Sequence, residues 1–245
     1  MKKINIKKKD VVYLAIILLL VIAIAVLSVL LVIANQRKIS WEMSEYHKDK
    51  NMSFSIQNAN LSKGQIIFIG DSITDLYPLD DFYTDLDLAC YNRGIGGDVS
   101  RGVLDRLETS IFALEPSKIV LMIGTNDIDW GVPNEELIEN YRLILDKIKE
   151  TQPTVELYFM SVIPQNKKLG ELTGLDIDKN NETIKIINEE IKKLCTEYGH
   201  TYIDLHSALL DGDGYLKSSL SEDGLHINTE GYKIWTSILK PHLAK

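Results

Sequence analysis

Three residues of this 245-residue chain could together carry out acyl transfer: Ser72, Asp223 and His226. Ser72 follows the apolar run Ile66–Ile69 across a tight turn, in the stretch Gly70-Asp71-Ser72-Ile73-Thr74. A serine so placed lies near a helix N-terminus with its hydroxyl at the edge of a sheet. A hydroxyl is a poor nucleophile until a base takes its proton. His226 is the candidate base, because imidazole exchanges protons near neutral pH. Asp223 lies three residues earlier, and in a turn such neighbours can face each other. It could then fix the imidazole tautomer and stabilise the imidazolium, in the chain order Ser, Asp, His. Each residue alone has a plainer reading: a serine after a strand is commonly a helix cap, and a lone histidine is commonly a surface residue.

The elements that would position these groups are visible as five short apolar runs: Ile66–Ile69, Leu88–Tyr91, Ile119–Ile123, Val155–Met160 and Tyr202–Leu205. Helix-like stretches separate them, at about 100–114, 134–150, 180–199 and 229–239. In 134–150, Leu137, Ile138, Tyr141, Ile144, Leu145 and Ile148 follow helical spacing, and Asn134 is a natural N-cap. Strands alternating with helices predict a parallel sheet covered on both faces, an α/β class fold. The expected architecture is a three-layer α/β/α sandwich with five parallel strands. Ligands of such sheets bind beyond the carboxyl ends of the strands. There the chain carries Gly70-Asp71-Ser72, then Asn92-Arg93-Gly94-Ile95-Gly96-Gly97-Asp98, then Gly124-Thr125-Asn126-Asp127, and near its end Asp223-Gly224-Leu225-His226.

These four blocks, GDSIT, NRGIGGD, IGTND and DGLH, resemble the SGNH (GDSL-type) hydrolase superfamily of esterases and lipases. Their wording is most similar to the branch of platelet-activating-factor acetylhydrolase-like acylhydrolases. The resemblance covers about residues 60–240. It implies a flavodoxin-like strand order, a serine nucleophile and a carboxylic ester substrate, with short acyl groups such as acetyl favoured. It also implies an oxyanion hole made from the Ser72 backbone N–H, the Gly97 backbone N–H and the Asn126 side-chain amide. Such donors must be preorganised where charge develops. By the same resemblance the reaction needs neither metal nor organic cofactor. Asp71 and Asp127 read as structural, and Arg93 and Asp98 as organisers of the second loop. The Gly-x-Ser-x-Gly elbow of the larger α/β-hydrolases is absent around Ser72. Gly94-Ile95-Gly96 opens like a dinucleotide fingerprint, but Val99 stands where its third glycine belongs. Asp211-Gly212-Asp213-Gly214 lacks the rest of a calcium loop and reads as a polar turn.

The N-terminus is of a different kind. Val11–Ala34 is 24 residues without a charge, long enough to span a bilayer. Residues 1–10 carry five lysines and one aspartate, whereas Arg37 and Lys38 are a weaker basic flank. The positive-inside rule then predicts a single-pass signal anchor with a cytoplasmic N-terminus and an extracytoplasmic catalytic domain. A cleaved signal peptide would have a shorter apolar region and a better cleavage site than Val32-Ile33-Ala34. The expected division is a basic tail 1–10, an anchor 11–34, a stalk 35–60 with a short helix near 40–50 and a loop at 51–64, and a hydrolase domain 61–245. Residues 61–245 hold 18 Lys/Arg against 31 Asp/Glu, a net −13. That acidity argues against a nucleic-acid partner. Cys90 and Cys195 read as two separately buried thiols. His47, His200, His206 and His242 match no block and read as surface or loop residues. Trp130 could line a pocket or cap the core.

The sequence therefore predicts a membrane-anchored serine esterase acting on an acetylated glycan or a lipid ester. Its rivals are a lysophospholipase, thioesterase or O-acyltransferase of the same superfamily, and a non-catalytic membrane-tethered binding module.

Overall fold

The computed structural model describes residues 45–244, together with scattered positions between 9 and 28. The chain divides into two units, Met1–Lys48 and Asp49–Lys245. The expected anchor, Val11–Ala34, falls largely outside the described residues. Those of its positions that are described are helical. Among the described residues, no helix is long and apolar enough to cross a membrane. The expected stalk is outside the described residues up to residue 44.

The second unit is built on five parallel strands: β1 (Ile66–Gly70), β2 (Cys90–Gly94), β3 (Lys118–Met122), β4 (Glu156–Met160) and β5 (Thr201–Ile203). Their order is β2-β1-β3-β4-β5, the doubly wound order implied by the resemblance. The helices are α1 (described over residues 45–58), α2 (Ser72–Asp75), α3 (Leu79–Phe82), α4 (Ser100–Asp105), α5 (Leu107–Ser110), α6 (Thr125–Asp129), α7 (Asn134–Thr151), α8 (Lys167–Thr173), α9 (Ile177–Tyr198), α10 (His206–Leu209) and α11 (Thr229–Leu243).

Alternation along the strands divides the core in two. Ile67 and Ile69 of β1, with Ile119 and Leu121 of β3, meet the apolar faces of α4, α7 and α9. Ile66, Phe68, Val120 and Met122 point the other way, onto Tyr232, Trp235 and Leu239 of α11. Every residue of β1 is buried, as a central strand covered on both faces must be. Cys90 belongs to the α11 side and Cys195 to the α9 side, so the sheet itself keeps the two thiols apart, and both are free. Burial pushes each thiol up to about 12.

Four local expectations change. The stretch 100–114 is broken into α4, α5 and a short 3-10 turn, Phe112–Leu114. The first break falls at Arg106, which leaves helical geometry (φ −113°, ψ 12°). Asn134 is the first residue of α7 and not its cap. The cap position is Pro133, whose carbonyl accepts from the Glu136 and Leu137 N–H groups. Residues 51–58, read as loop, are helical. Phe54 is buried there, and the Arg93 guanidinium lies 4.7 Å from its ring centre. Residues 164–180, between the apolar run Val155–Met160 and the helix-like stretch expected from 180, hold α8 and the start of α9, which Asp176 caps by accepting from the Lys179 N–H.

Candidate active site

The order in which strands are added reverses at β1: β2 lies on one side of it and β3, followed by β4 and β5, on the other. That switch point is where an open parallel sheet leaves a crevice, and Ser72 sits at it. β1 ends at Gly70. A Cβ there would collide with the Met122 carbonyl oxygen and the Thr74 hydroxyl, so the turn needs glycine. Asp71 caps α2, its Oδ1 accepting from the Ile73 N–H at 3.0 Å. Ser72 is then the first residue of α2.

His226 and Asp223 come from a loop closed at its base by an antiparallel bridge between Ser221 and Ile227. The loop runs into α11, whose cap, Asn228, accepts from the Glu230 and Gly231 N–H groups. Asp223 Oδ1 accepts from the Leu225 and His226 N–H groups, each at 2.8 Å, which folds the loop back on itself. His226 Nδ1 then lies 2.6 Å from Asp223 Oδ2, and His226 Nε2 lies 2.8 Å from Ser72 Oγ. With a neutral imidazole, Nδ1–H donates to Asp223 and Nε2 accepts from the serine hydroxyl. A hydroxyl, an imidazole and a carboxylate are thus in one hydrogen-bonded line, the geometry that a nucleophile, its base and a group orienting that base require.

Partial burial works against the ionisation of Asp223. The hydrogen bonds from the His226 ring and from the Leu225 and His226 backbone outweigh it and bring the carboxyl down to about 2. Asp223 is therefore an anion across the working range of an enzyme, and this contribution to stability is lost only as pH falls from the ordinary carboxylate range towards 2.

The second and third blocks reach the same edge. β2 leads into a turn in which Gly97 adopts φ +75°, the left-handed region that favours glycine. The Ile95 N–H donates to the Gly70 carbonyl at 3.1 Å, pinning this turn beside the nucleophile. Asn126, in the first turn of α6, donates through Nδ2 to the Asp98 carbonyl at 2.8 Å, one residue from Gly97. A primary amide has two hydrogens, and that bond uses one. Ser72, Gly97 and Asn126 are thus assembled at one sheet edge.

Asp98 and Asp127 hold this loop. The Asp127 carboxylate accepts from the Ser100 N–H at 2.9 Å and the Ser100 hydroxyl at 2.6 Å, at the start of α4. Asp98 pairs with Arg106 at 2.7 Å. Arg93 does something else. It is 2% exposed, and its guanidinium donates to Gln57 and Asn58, so it ties α1 to β2 and does not organise the second loop. His206 is buried, contrary to its reading as a surface residue. It opens α10, where its N–H donates to Ser161 Oγ. Asp211-Gly212-Asp213-Gly214 is a turn whose own backbone occupies Asp211: Oδ1 accepts from the Asp213 and Tyr215 N–H groups.

Two site residues escaped the sequence. Arg106 donates to Asp98 Oδ2, to the carbonyls of Arg93 and Gly70 and to Ser110 Oγ, so one buried guanidinium joins the Ser72 turn to the Gly97 loop. Asn92 donates to the Thr74 carbonyl at 2.7 Å and accepts from the Gly94 N–H at 2.8 Å, closing the end of α2. Asn92 stands inside the second block, and that block was its only signal. Arg106 had none.

Asp71 is wholly buried, and burial, with Asp98, Asp127 and Asp129 nearby, pushes its carboxyl up to about 7. A raised carboxyl binds its proton more tightly in the folded state than in the unfolded one. That favours folding at low pH, and the advantage is lost as pH rises through about 7. The wild-type chain should therefore lose on the order of 2–4 kcal/mol of this contribution between pH 4 and pH 8. Asp71→Asn should flatten the profile. Urea titrations at the two pH values check both.

The GDSL-like Lipase/Acylhydrolase family matches residues 68–234. The GDSL esterase/lipase WDL1 of Oryza sativa subsp. japonica is 30% identical over 144 residues, covering 54% of this chain and 55% of that one. The chain thus spans about half the length of that relative. The platelet-activating factor acetylhydrolase IB subunit alpha2 of Rattus norvegicus is 27% identical, covering 72% of this chain and 73% of its own. A solved structure from Streptococcus pneumonia, described as a platelet activating factor, superposes with a TM-score of 0.78 at 28% identity, covering 86% of this chain and 98% of the other.

Proposed function

The chain belongs to the GDSL-like lipase/acylhydrolase family, and from that membership we propose that it hydrolyses carboxylic esters through an acyl-serine intermediate. The observation that carries this reading is the line from Ser72 Oγ through His226 to Asp223, at 2.8 and 2.6 Å. His226 Nε2 takes the hydroxyl proton as Ser72 Oγ bonds to the ester carbonyl carbon. The new imidazolium is held by the Asp223 carboxylate. Negative charge moves onto the carbonyl oxygen, where the N–H groups of Ser72 and Gly97 and the free hydrogen of the Asn126 amide receive it. When the intermediate collapses, the ester C–O bond breaks and His226 returns the proton to the departing alkoxide. A water molecule, deprotonated by His226, repeats the sequence on the acyl-serine and releases the carboxylic acid and free Ser72.

Acetyl and other short acyl groups are the proposed acyl portion, supported by likeness to an acetylhydrolase subunit. The full chain should turn over p-nitrophenyl acetate, and Ser72→Ala should not. Turnover that survives in Ser72→Ala would remove the proposal. Asn126→Ala should retain the fold and lose about 10²–10³ in kcat with little change in KM, the usual cost of one oxyanion donor. Steady-state kinetics on the same ester checks the split.

We further propose that the chain is held in a membrane by Val11–Ala34 with the hydrolase outside the cytoplasm. The support is the uncharged 24-residue run and the lysines before it. Alkaline carbonate should leave the full chain in the membrane pellet, with detergent needed to release it. Release by carbonate alone would contradict the anchor.

A further inference from the structure

Gln165 and Asn166 are neighbours in the segment that follows β4, and each is bonded to a different part of the site. The Gln165 side chain is wholly buried and donates from Nε2 to Asp129 Oδ1 at 2.6 Å. Asp129 ends α6, three residues after Asn126, a spacing that puts the two on one helix face. The Asn166 N–H donates to the Gly224 carbonyl at 2.9 Å, inside the loop of Asp223 and His226. That contact is close: a Cβ on Gly224, which sits at φ +88°, would meet the Asn166 carbonyl oxygen at 3.2 Å and the Leu169 nitrogen at 2.7 Å. Gln165 is itself held from α9. Asn181 accepts from its N–H at 2.8 Å and donates to its carbonyl at 2.9 Å. Asn180 Nδ2 donates to Asp129 Oδ1 at 2.9 Å and to Gln165 Oε1 at 3.2 Å, so three side chains close a triangle of bonds at the end of α6. Burial pushes the Asp129 carboxyl up, and the two amides that donate to it work against that.

We propose that Gln165 is a positioning residue that fixes the place of Asn126 relative to His226. Its role rests on the serine-hydrolase reading above, in which the Asn126 amide receives the oxyanion while the His226 ring moves the proton. Both must meet the same carbonyl group, yet they come from positions 126 and 226, on separate segments of the chain. The bonds of Arg106 join the Ser72 turn to the Gly97 loop. The bonds of Gln165 and Asn166 run elsewhere, from α6 to the loop of Asp223 and His226. A misplacement of about 1 Å between such groups costs on the order of 10²-fold in rate. A buried amide that only filled space in the core would lower stability when removed, with no special link to Asn126. A strut between the two groups makes its catalytic effect depend on Asn126 being present.

Gln165→Met keeps the length of the side chain and removes its donor. In the full chain it should lower kcat on p-nitrophenyl acetate about tenfold and leave KM within about twofold. In an Asn126→Ala background the same change should cost less than about twofold, because the group it places is already gone. Asp129→Ala, which cuts the link from the other end, should behave alike and serves in its place should Gln165→Met not fold. Asp129→Asn should recover most of that loss, since its carbonyl oxygen still accepts from Gln165 and Asn180. Hydrogen exchange followed by peptide mass spectrometry reads the strut without turnover. Each disrupting variant should quicken exchange about tenfold in residues 125–131 and 221–227 together and leave β1 and β3 unchanged. Equal kcat losses with and without Asn126, or exchange that quickens at one end alone or across the whole sheet, overturn the proposal. Faster exchange at both ends in a chain whose wild type hydrolyses no ester would uphold the strut and sink the esterase reading, so the two fail separately.

Discussion

His226→Ala lowers kcat for an acetyl ester by about 10⁴–10⁶ and leaves KM within a small factor, the scale on which serine-hydrolase triads fail when the base is removed. The reason lies in the two distances on either side of the ring. At 2.8 Å from Ser72 Oγ, Nε2 is, among the described residues, the side-chain group aimed at the hydroxyl proton. Without it, Ser72 must attack as a neutral alcohol. The loss falls on kcat because the imidazole works on the proton in flight and holds no part of the substrate beforehand. Asp223→Asn should be the milder change. It removes the charge that stabilises the imidazolium, yet an amide in that place can still meet the ring and the Leu225 and His226 N–H groups. Stopped assays at high enzyme concentration, with folding checked by circular dichroism, measure both. A His226→Ala protein within tenfold of wild type would show that some other group is the base.

Arg106→Met is the change expected to cost most in stability. The guanidinium is buried against a buried Asp98, and its other hydrogen bonds go to the Gly70 and Arg93 carbonyls and to Ser110. Breaking such a pair from one side strands the partner's charge, which costs about 3–5 kcal/mol. Burial already disfavours the charged form of Arg106, and the Asp98 carboxylate works against that. Arg106→Lys should rescue little, since an ammonium cannot present a planar fork to acceptors on three segments of chain. The cost should also couple to Asp98. Asp98→Asn made in the Arg106→Met background should destabilise far less than it does alone, because the charge has already lost its partner. The loss should reach catalysis as well, because Gly70 carries the nucleophile turn and Asp98 the loop that contains Gly97. Urea unfolding of the four proteins of the cycle gives the coupling. Additive effects, or an unchanged midpoint for Arg106→Met, would contradict the role assigned to the pair.

What could be read from the sequence follows from how each element is buried. β1 is covered on both faces, so IIFI is apolar without interruption and gives itself away. The stripe of Leu137, Tyr141, Ile144, Leu145 and Ile148 marks α7 for the same reason. β2 lies at the sheet's edge and is only partly covered. It carries Asn92 and Arg93, and the apolar signal at Leu88–Tyr91 is offset from the true strand, Cys90–Gly94. α1 is fixed by one buried phenylalanine and by polar contacts with Arg93, so it has no stripe to find. The start of α9 was hidden by asparagines on its inner face. There Asn181 and Asn188 bond both backbone groups of Gln165 and Val162, acting as a side-chain substitute for a neighbouring strand.

The site divides in the same way. Ser72, Asp223 and His226 each have a plainer reading alone and stand out because the matching blocks set them at the strand ends, with Asp223 and His226 three residues apart. Gly97 and Asn126 needed the likeness to a family, since a turn glycine and an asparagine are common. Arg106 could not be named at all. Its partners are 8, 13 and 36 residues away in the chain, and only the closing of the sheet edge brings them to one guanidinium.

The most direct test of the central claim is to treat the full chain with a fluorophosphonate and map the adduct by peptide mass spectrometry. The geometry predicts one modified residue, Ser72, with labelling abolished in Ser72→Ala and strongly slowed in His226→Ala, in step with loss of p-nitrophenyl acetate turnover. An adduct on a different serine, or no adduct on a chain that still hydrolyses the ester, would contradict it.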